Sequence, residues 1–223
     1  MHGMLSRACF VLRVLPIFCL PSLLPAQERF LQREGYKVFL NGAEFKSVGF
    51  NKPDLLFQYY KGGADKIAAK QAVYDMGRYG GFGPVPVTIM GSPYSPADFE
   101  WFFDGNLDRR AVERGRFFRA FDELVADSKQ SGVSLVVYLM WNMVNLADLG
   151  RHSLHEGVTN FESAGYKKCD EFVLSVVSRY KDEPAIGLWV VGSEWNLLAD
   201  LQMPNGVFSG TTAGDVNHPG PVV

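Results

Sequence analysis

Cysteine is scarce, with three in 223 residues at positions 9, 19 and 169. Cys9 and Cys19 fall in an N-terminal leader, so Cys169 stands alone in the expected mature chain and an internal disulfide is excluded. Stability must come from packing. Net charge is equally scarce. The formal value is -2 at pH 7, and Lys and Arg are scattered, not gathered into a basic stripe. That argues against a nucleic-acid partner. No G-x-G-x-x-G follows the first strand and no G-x-x-x-x-G-K occurs, which disfavours a nucleotide site. No repeat with a period of roughly 20–50 residues is visible, so solenoids and propellers drop out. Long apolar runs are missing too. Val14 to Leu24 is apolar apart from Pro16, Pro21 and Ser22, and it is too short to span a membrane.

What is present starts with that leader. Arg7 and Arg13 give a positive start, the apolar run follows, and Pro25-Ala26 offers a small residue for cleavage before Gln27. Residues 1–26 therefore read as a signal peptide, which implies a secreted or periplasmic protein with no membrane attachment after cleavage. The composition, 47% hydrophobic and 21% charged, is that of a globular domain. The length is short for a complete eight-unit barrel, which takes about 250 residues.

Element signals follow in order. Tyr36 to Leu40 and Glu44 to Asn51 flank Asn41-Gly42, a hairpin signal, and the second run leads into a first strand at Gly49-Phe50-Asn51. Gly63 to Tyr79 carries Ile67, Ala68, Ala72, Val73 and Met76 at helical spacing. Val85 to Met90 reads as a strand. Asp108 to Lys129 reads as an amphipathic helix with Phe117, Phe118, Phe121, Leu124 and Val125 inward, stopped by Ser131-Gly132. Val133 to Leu139 is a strand buried on both faces. Phe161 to Tyr180 is a helix with Phe172, Val173, Val176 and Val177 inward, and it holds Cys169 as a buried thiol. Ala185 to Val191 is a further buried strand. Strands alternating with helices mean βαβ units and a parallel sheet. Pattern alone leaves both a barrel and an open doubly wound sheet standing.

The chemistry concentrates after the last strand, at Gly192-Ser193-Glu194-Trp195-Asn196. A carboxylate stands there at the carboxyl end of a buried strand, the active face of parallel barrels. Trp189 and Trp195 flank it, and indole faces suit sugar rings. Partial desolvation between them would raise the carboxyl pKa, as a general acid requires. A glutamate capping the next helix is the alternative. Trp141-Asn142 follows the preceding strand and is a second candidate contact. His152-x-x-His155-Glu156 lacks a clear third ligand, and a solvated surface is the simpler reading. The charges at Arg109, Arg110, Arg114 and Arg116 read as the solvated face of a helix.

The run from Arg179 to Asn196, with Glu183-Pro184-Ala185-Ile186 entering the strand and Trp189 within it, resembles the fourth-strand signature of clan A glycoside hydrolases, family 5 cellulases and mannanases in particular. Lys37 to Phe45 resembles the hairpin that closes the barrel floor in that family. Gly49-Phe50-Asn51 resembles the end of its first strand, and Gly132 to Val137 its third. The likeness covers Tyr36 to Leu201. It implies a (β/α)8 TIM barrel, truncated after about the fourth strand: residues 27–202 form the N-terminal half of a glycosidase domain and residues 203–223 an irregular tail. It implies hydrolysis of a β-linked glycan with Glu194 as general acid/base. Ser193, Trp195, Trp189, Trp141 and Asn142 would be substrate-binding, with carbohydrate as the partner and no metal or organic cofactor.

Three positions depart from the family pattern. Ser193 replaces the Asn before the acid. Thr88 stands where an Arg is usual late in strand two, and Arg78 is too far upstream to replace it. The nucleophile expected from strand seven has no counterpart, since no Glu follows Glu194 and Asp200 and Asp215 are misplaced for that role. A non-catalytic carbohydrate-binding remnant is the alternative these departures favour.

Overall fold

The computed structural model describes residues 31–40, 42–80, 83–92, 101–103, 105–140, 149–153, 156 and 160–192. The leader and the tail expected at 203–223 lie outside them. No helix among the described residues is long and apolar enough to cross a membrane.

The chain begins with a small antiparallel sheet, β1 (Leu31–Glu34), β2 (Lys37–Leu40) and β3 (Ala43–Glu44), in the order β1-β2-β3. The turn at Asn41-Gly42 joins β2 to β3, with Leu40 opposite Ala43. Strand β1 has no counterpart in the sequence reading, because Leu31-Gln32-Arg33-Glu34 holds one apolar residue and shows no alternation. This sheet lies beneath a larger one. Ser47 Oγ reaches the Pro84 carbonyl at 3.5 Å, and Leu31 Cδ1 comes within van der Waals reach of Gly187.

The larger sheet is parallel and has four strands, β4 (Phe50–Asn51), β5 (Val85–Met90), β6 (Val133–Met140) and β7 (Ile186–Gly192), ordered β4-β5-β6-β7. Spatial order follows chain order without reversal. A doubly wound sheet reverses its order at a switch point; the described strands show no reversal, as in a barrel. Gly187 is an extra residue in the β6–β7 pairing, since Leu135 aligns with Ile186 and Val136 with Leu188. A Cβ there would stand 2.3 Å from Ser134 Oγ, so a larger residue would have to turn that hydroxyl aside.

Among the described residues, helices α1 (Leu55–Lys61), α2 (Gly63–Gly77), α3 (Leu107–Ser131) and α4 (Ala164–Tyr180) connect the strands, with a 3-10 turn at Trp101–Phe103. They build one core with alternate residues of the strands. Val85, Val87, Ile89, Leu135 and Val137 are fully buried with Leu55, Phe102, Phe121, Leu124, Phe172 and Val176. Phe102 is the hub, with its ring centroid 5.1 Å from Phe172 and 5.9 Å from Phe117, both edge-on. On α3 the expected Phe117, Phe121, Leu124 and Val125 are buried, Phe118 is partly buried, and Ala120 joins them. On α2 the stripe is corrected. Ala69, Val73 and Met76 are buried, while Ile67 is 71% exposed. Three small or flexible residues at i, i+4 and i+7 let the helix lie close to its neighbour, and Gly77 marks that approach, because a Cβ would strike the Ser131 carbonyl. Helix α3 ends where the sequence indicates, on Gly132 in the left-handed conformation at φ 73°, its N–H donating to the Ser128 carbonyl.

Arg110 and Arg114 depart from the expected solvated face. Both reach Glu171 of α4, and the Arg114 guanidinium lies 4.2 Å from the Phe102 ring centroid while its Nε donates to the Phe102 carbonyl at 2.8 Å. Arg116 lies 4.3 Å over Tyr60. Spaced four apart beside the aromatic stripe, the long aliphatic stems lie on apolar surface and the charged ends tie helices together.

Candidate functional site

In a parallel sheet all strands end on one side, and that side gathers the loops that do chemistry. Here the carboxyl ends are Asn51, Met90, Met140 and Gly192, with Met140 aligned to Gly192 and Met90 to Tyr138. The connection after β4 is pinned across this end. The Lys52 N–H donates to the Thr88 carbonyl at 2.9 Å, and the Met90 N–H to the Pro53 carbonyl at 3.0 Å. Asp54 then pairs with Lys52 and accepts from Gln58 at 2.7 Å. After β5, Gly91 passes so close to β6 that a Cβ would sit 2.3 Å from Val137 Cγ1. Ser92 follows, 4% exposed, its hydroxyl without a hydrogen-bond partner among the described residues.

Glu194 follows the last residue of β7 by two positions. Glu194, Ser193 and Trp195 lie outside the described residues, as do Trp141 and Asn142 just past β6. The structure gives the strands that lead into them: β6 and β7 are adjacent, parallel and level at Met140 and Gly192. Trp189 is the one expected contact residue that is described. It aligns with Val137 and packs against the core on the helix-bearing side. Its ring thus supports β7 from behind.

The lower end of the same strand is firmly anchored. Glu183 Oε1 accepts the Ala185 N–H at 3.0 Å, and Oε2 pairs with Lys129 of α3 at 2.6 Å. Arg179, Asp122 and Tyr180 form a neighbouring cluster, with Arg179 to Asp122 at 2.6 Å and the Tyr180 hydroxyl donating to Asp122 at 2.8 Å. Burial first, then that carboxylate, pushes the Tyr180 phenol well above its ordinary range. These groups line a cleft of about 510 Å³ on the side opposite the strand ends. Their charges face one another, which suits anchoring more than ligand capture.

Thr88 sits mid-sheet, level with Asn51 and Val136. Arg78 is 78% exposed and 3.6 Å from Asp75, just past the C-terminus of α2. That end of α2 feeds the amino end of β5, so Arg78 is at the wrong end of the sheet to reach a carboxylate at the strand tips. His152 serves as a cap. Its Nε2 accepts the Gly165 N–H at 3.2 Å, beside Ser163, whose Oγ accepts the Tyr166 N–H. His155 lies outside the described residues, and no group of three metal-ligating side chains occurs among those described. Sequence reading missed helix α1, whose Leu55-Leu56-Phe57-Gln58-Tyr59-Tyr60 looks like any short apolar run.

Comparison with known proteins places the fold. No family model and no curated protein matches the sequence. Among solved structures, the endo-1,4-beta-mannanase from Rhizomucor miehei matches with a TM-score of 0.51 at 20% identity, over 76% of this chain and 49% of the mannanase. The chain spans about half the length of that enzyme. The shared feature is the fold, an α/β arrangement with a parallel four-stranded sheet like that of the mannanase barrel.

Proposed function

We propose that this chain is the N-terminal half of a secreted (β/α)8 glycoside hydrolase of family 5 type, acting on β-linked glycans, with Glu194 as general acid/base. One observation carries the reading. The strand that leads into Ser193-Glu194 is the fourth described strand of a parallel sheet whose fold resembles that of a mannanase, and it runs with its carboxyl end toward the loop side. A carboxyl group at that place protonates the glycosidic oxygen as the leaving group departs, then takes a proton from the attacking water. Trp195, Trp141 and Asn142 would contact the sugar, with Ser193 holding a hydroxyl through its short side chain. Trp189 contributes by bracing β7 from the helix side.

Retention requires a second carboxylate about 5–5.5 Å from the first. Ser193 and Thr88, where the family pattern has Asn and Arg, favour the second reading, a sugar-binding unit without turnover. Both are tested on the purified chain with aryl β-glycosides and β-1,4-manno-oligosaccharides, beside calorimetric binding of the same sugars. The first reading expects hydrolysis that falls by roughly 10²–10⁴-fold in Glu194→Gln, the range for a lost general acid/base. Binding without turnover supports the second. Absence of both binding and turnover would sink the two together.

A further inference from the structure

The connection from β6 to α4 leaves the strand-end side of the sheet and closes on the N-terminus of α4. Residues 149–153 of it are docked there at two points. Leu149 is buried in the core, and its carbonyl accepts from Lys168 Nζ at 2.8 Å. Three residues on, His152 Nε2 lies 3.2 Å from the Gly165 nitrogen. Between the two points the chain turns sharply. Arg151 takes φ 54°, the left-handed region that residues other than glycine seldom adopt. Gly150 passes so close to the imidazole that a Cβ on it would overlap the ring.

The partners fix the protons on this ring. Nδ1 is 3.0 Å from the Ser153 carbonyl, which can only accept, so Nδ1 carries the hydrogen. Gly165 offers an N–H, which can only donate, so Nε2 presents its lone pair. Only the neutral Nδ1–H tautomer makes both bonds. The Gly165 N–H is one of those left without an intrahelical acceptor at the start of a helix. Ser163 Oγ accepts from the next, at Tyr166. A proton added to Nε2 removes the acceptor, sets N–H against N–H, and puts positive charge at the positive end of α4. Of the charged groups described on the segments packed here, Arg151, Lys167 and Lys168 are cations. The two carboxylates are engaged elsewhere, Glu156 with Asn160 and Glu162 with Lys167.

We propose that His152 is a pH-sensitive latch, which holds residues 150–153 on the N-terminus of α4 while its imidazole is neutral and releases them on protonation. Imidazole is the side chain that changes charge between about pH 5 and 8. The latch is closed at the upper end of that range and opens toward the lower. Leu149 stays anchored by its burial and by Lys168, so opening is confined to the turn beyond it and to the first turn of α4. The latch is independent of the role given to Glu194, and its readouts need no turnover.

Nitrogen-15 NMR of the purified chain is the test, with the His152 ring assigned among the four histidines by through-bond correlation. At about pH 8 the ring should carry its proton on Nδ1 and none on Nε2. Amide hydrogen exchange is then followed down to about pH 5. Corrected for intrinsic rates, the protection of the Gly165 N–H should fall by roughly 2–30-fold as His152 protonates, the equivalent of one helix cap. The Val176 N–H, in the buried part of α4, should keep its protection. His152→Gln, whose amide does not titrate, should show no fall at Gly165. The wild-type tautomer decides the matter even if that variant unfolds. A proton on Nε2 at the upper pH overturns the proposal, as does Gly165 protection that stays level while the ring titrates. The same fall in His152→Gln overturns it too, and so does a fall shared by Val176, which means general acid unfolding in place of a latch.

Discussion

Removing the Glu183 carboxylate should loosen the strand that carries the candidate acid, and the size of the effect depends on which of its two bonds is lost. Glu183 accepts the Ala185 N–H at 3.0 Å and pairs with Lys129 at 2.6 Å. Ala185 is 6% exposed, and the Glu183 side chain 17%. In Glu183→Ala the Ala185 N–H is left buried with no acceptor, which costs about 1–3 kcal/mol. Glu183→Gln keeps an amide oxygen for that N–H and loses only the ion pair. Lys129 is 48% exposed, so the pair is screened and contributes about 0–1 kcal/mol. For a chain of this size, 1 kcal/mol moves the midpoint by about 2–4 °C. The alanine variant, which loses both, should therefore melt roughly 2–16 °C lower, and the glutamine variant at most about 4 °C lower, as should Lys129→Met. Thermal and urea unfolding followed by far-UV circular dichroism measure all three. If glutamine costs as much as alanine, the ion pair and not the N–H bond anchors β7, and the reasoning fails.

Two further outcomes follow from buried groups. Tyr59, 2% exposed, donates its hydroxyl to Asp127 at 2.7 Å, and Lys70 is 3.4 Å from the same carboxylate. Tyr59→Phe should cost about 1–3 kcal/mol in urea unfolding, and a loss within about 0.3 kcal/mol would show that Asp127 finds another partner. Burial pushes the Cys169 thiol from 9.0 up to about 12. The folded state thus holds its proton where the unfolded chain releases it. The resulting stabilisation is complete below pH 9.0 and is lost as the pH rises toward about 12. Cys169→Ala should flatten that alkaline decline, and the native thiol should resist an aromatic disulfide reagent at pH 8 until denaturant is added. Rapid modification of the folded protein would contradict the burial.

Several features were legible in the chain because their causes are local. The four strands of the parallel sheet, helices α2 to α4 and the Gly132 stop follow from apolar spacing and a left-handed cap, and the observed bounds fall within a few residues of the expected ones. Helix α1 and strand β1 were not legible, because each forms against a neighbour and not from its own pattern. The lengths of charge on α3 were misread for the same reason. Arg110 and Arg114 look solvated until α4 brings Glu171 beneath them.

By itself the sequence determined the order of elements, the parallel class of the sheet and the position of one carboxylate just past its fourth strand. These depend on periodicity and on residues adjacent in the chain. Only the tertiary structure decided that the described strands keep chain order, an order shared with the mannanase-like barrel fold. It alone set Trp189 on the helix side of β7, Arg78 at the far end from the strand tips, and the exposed apolar residues of the sheet on the outer two of its described strands. Strand register and the side a residue faces depend on partners distant in sequence, and the single extra residue at Gly187 is enough to set which side chains beyond it face the helices.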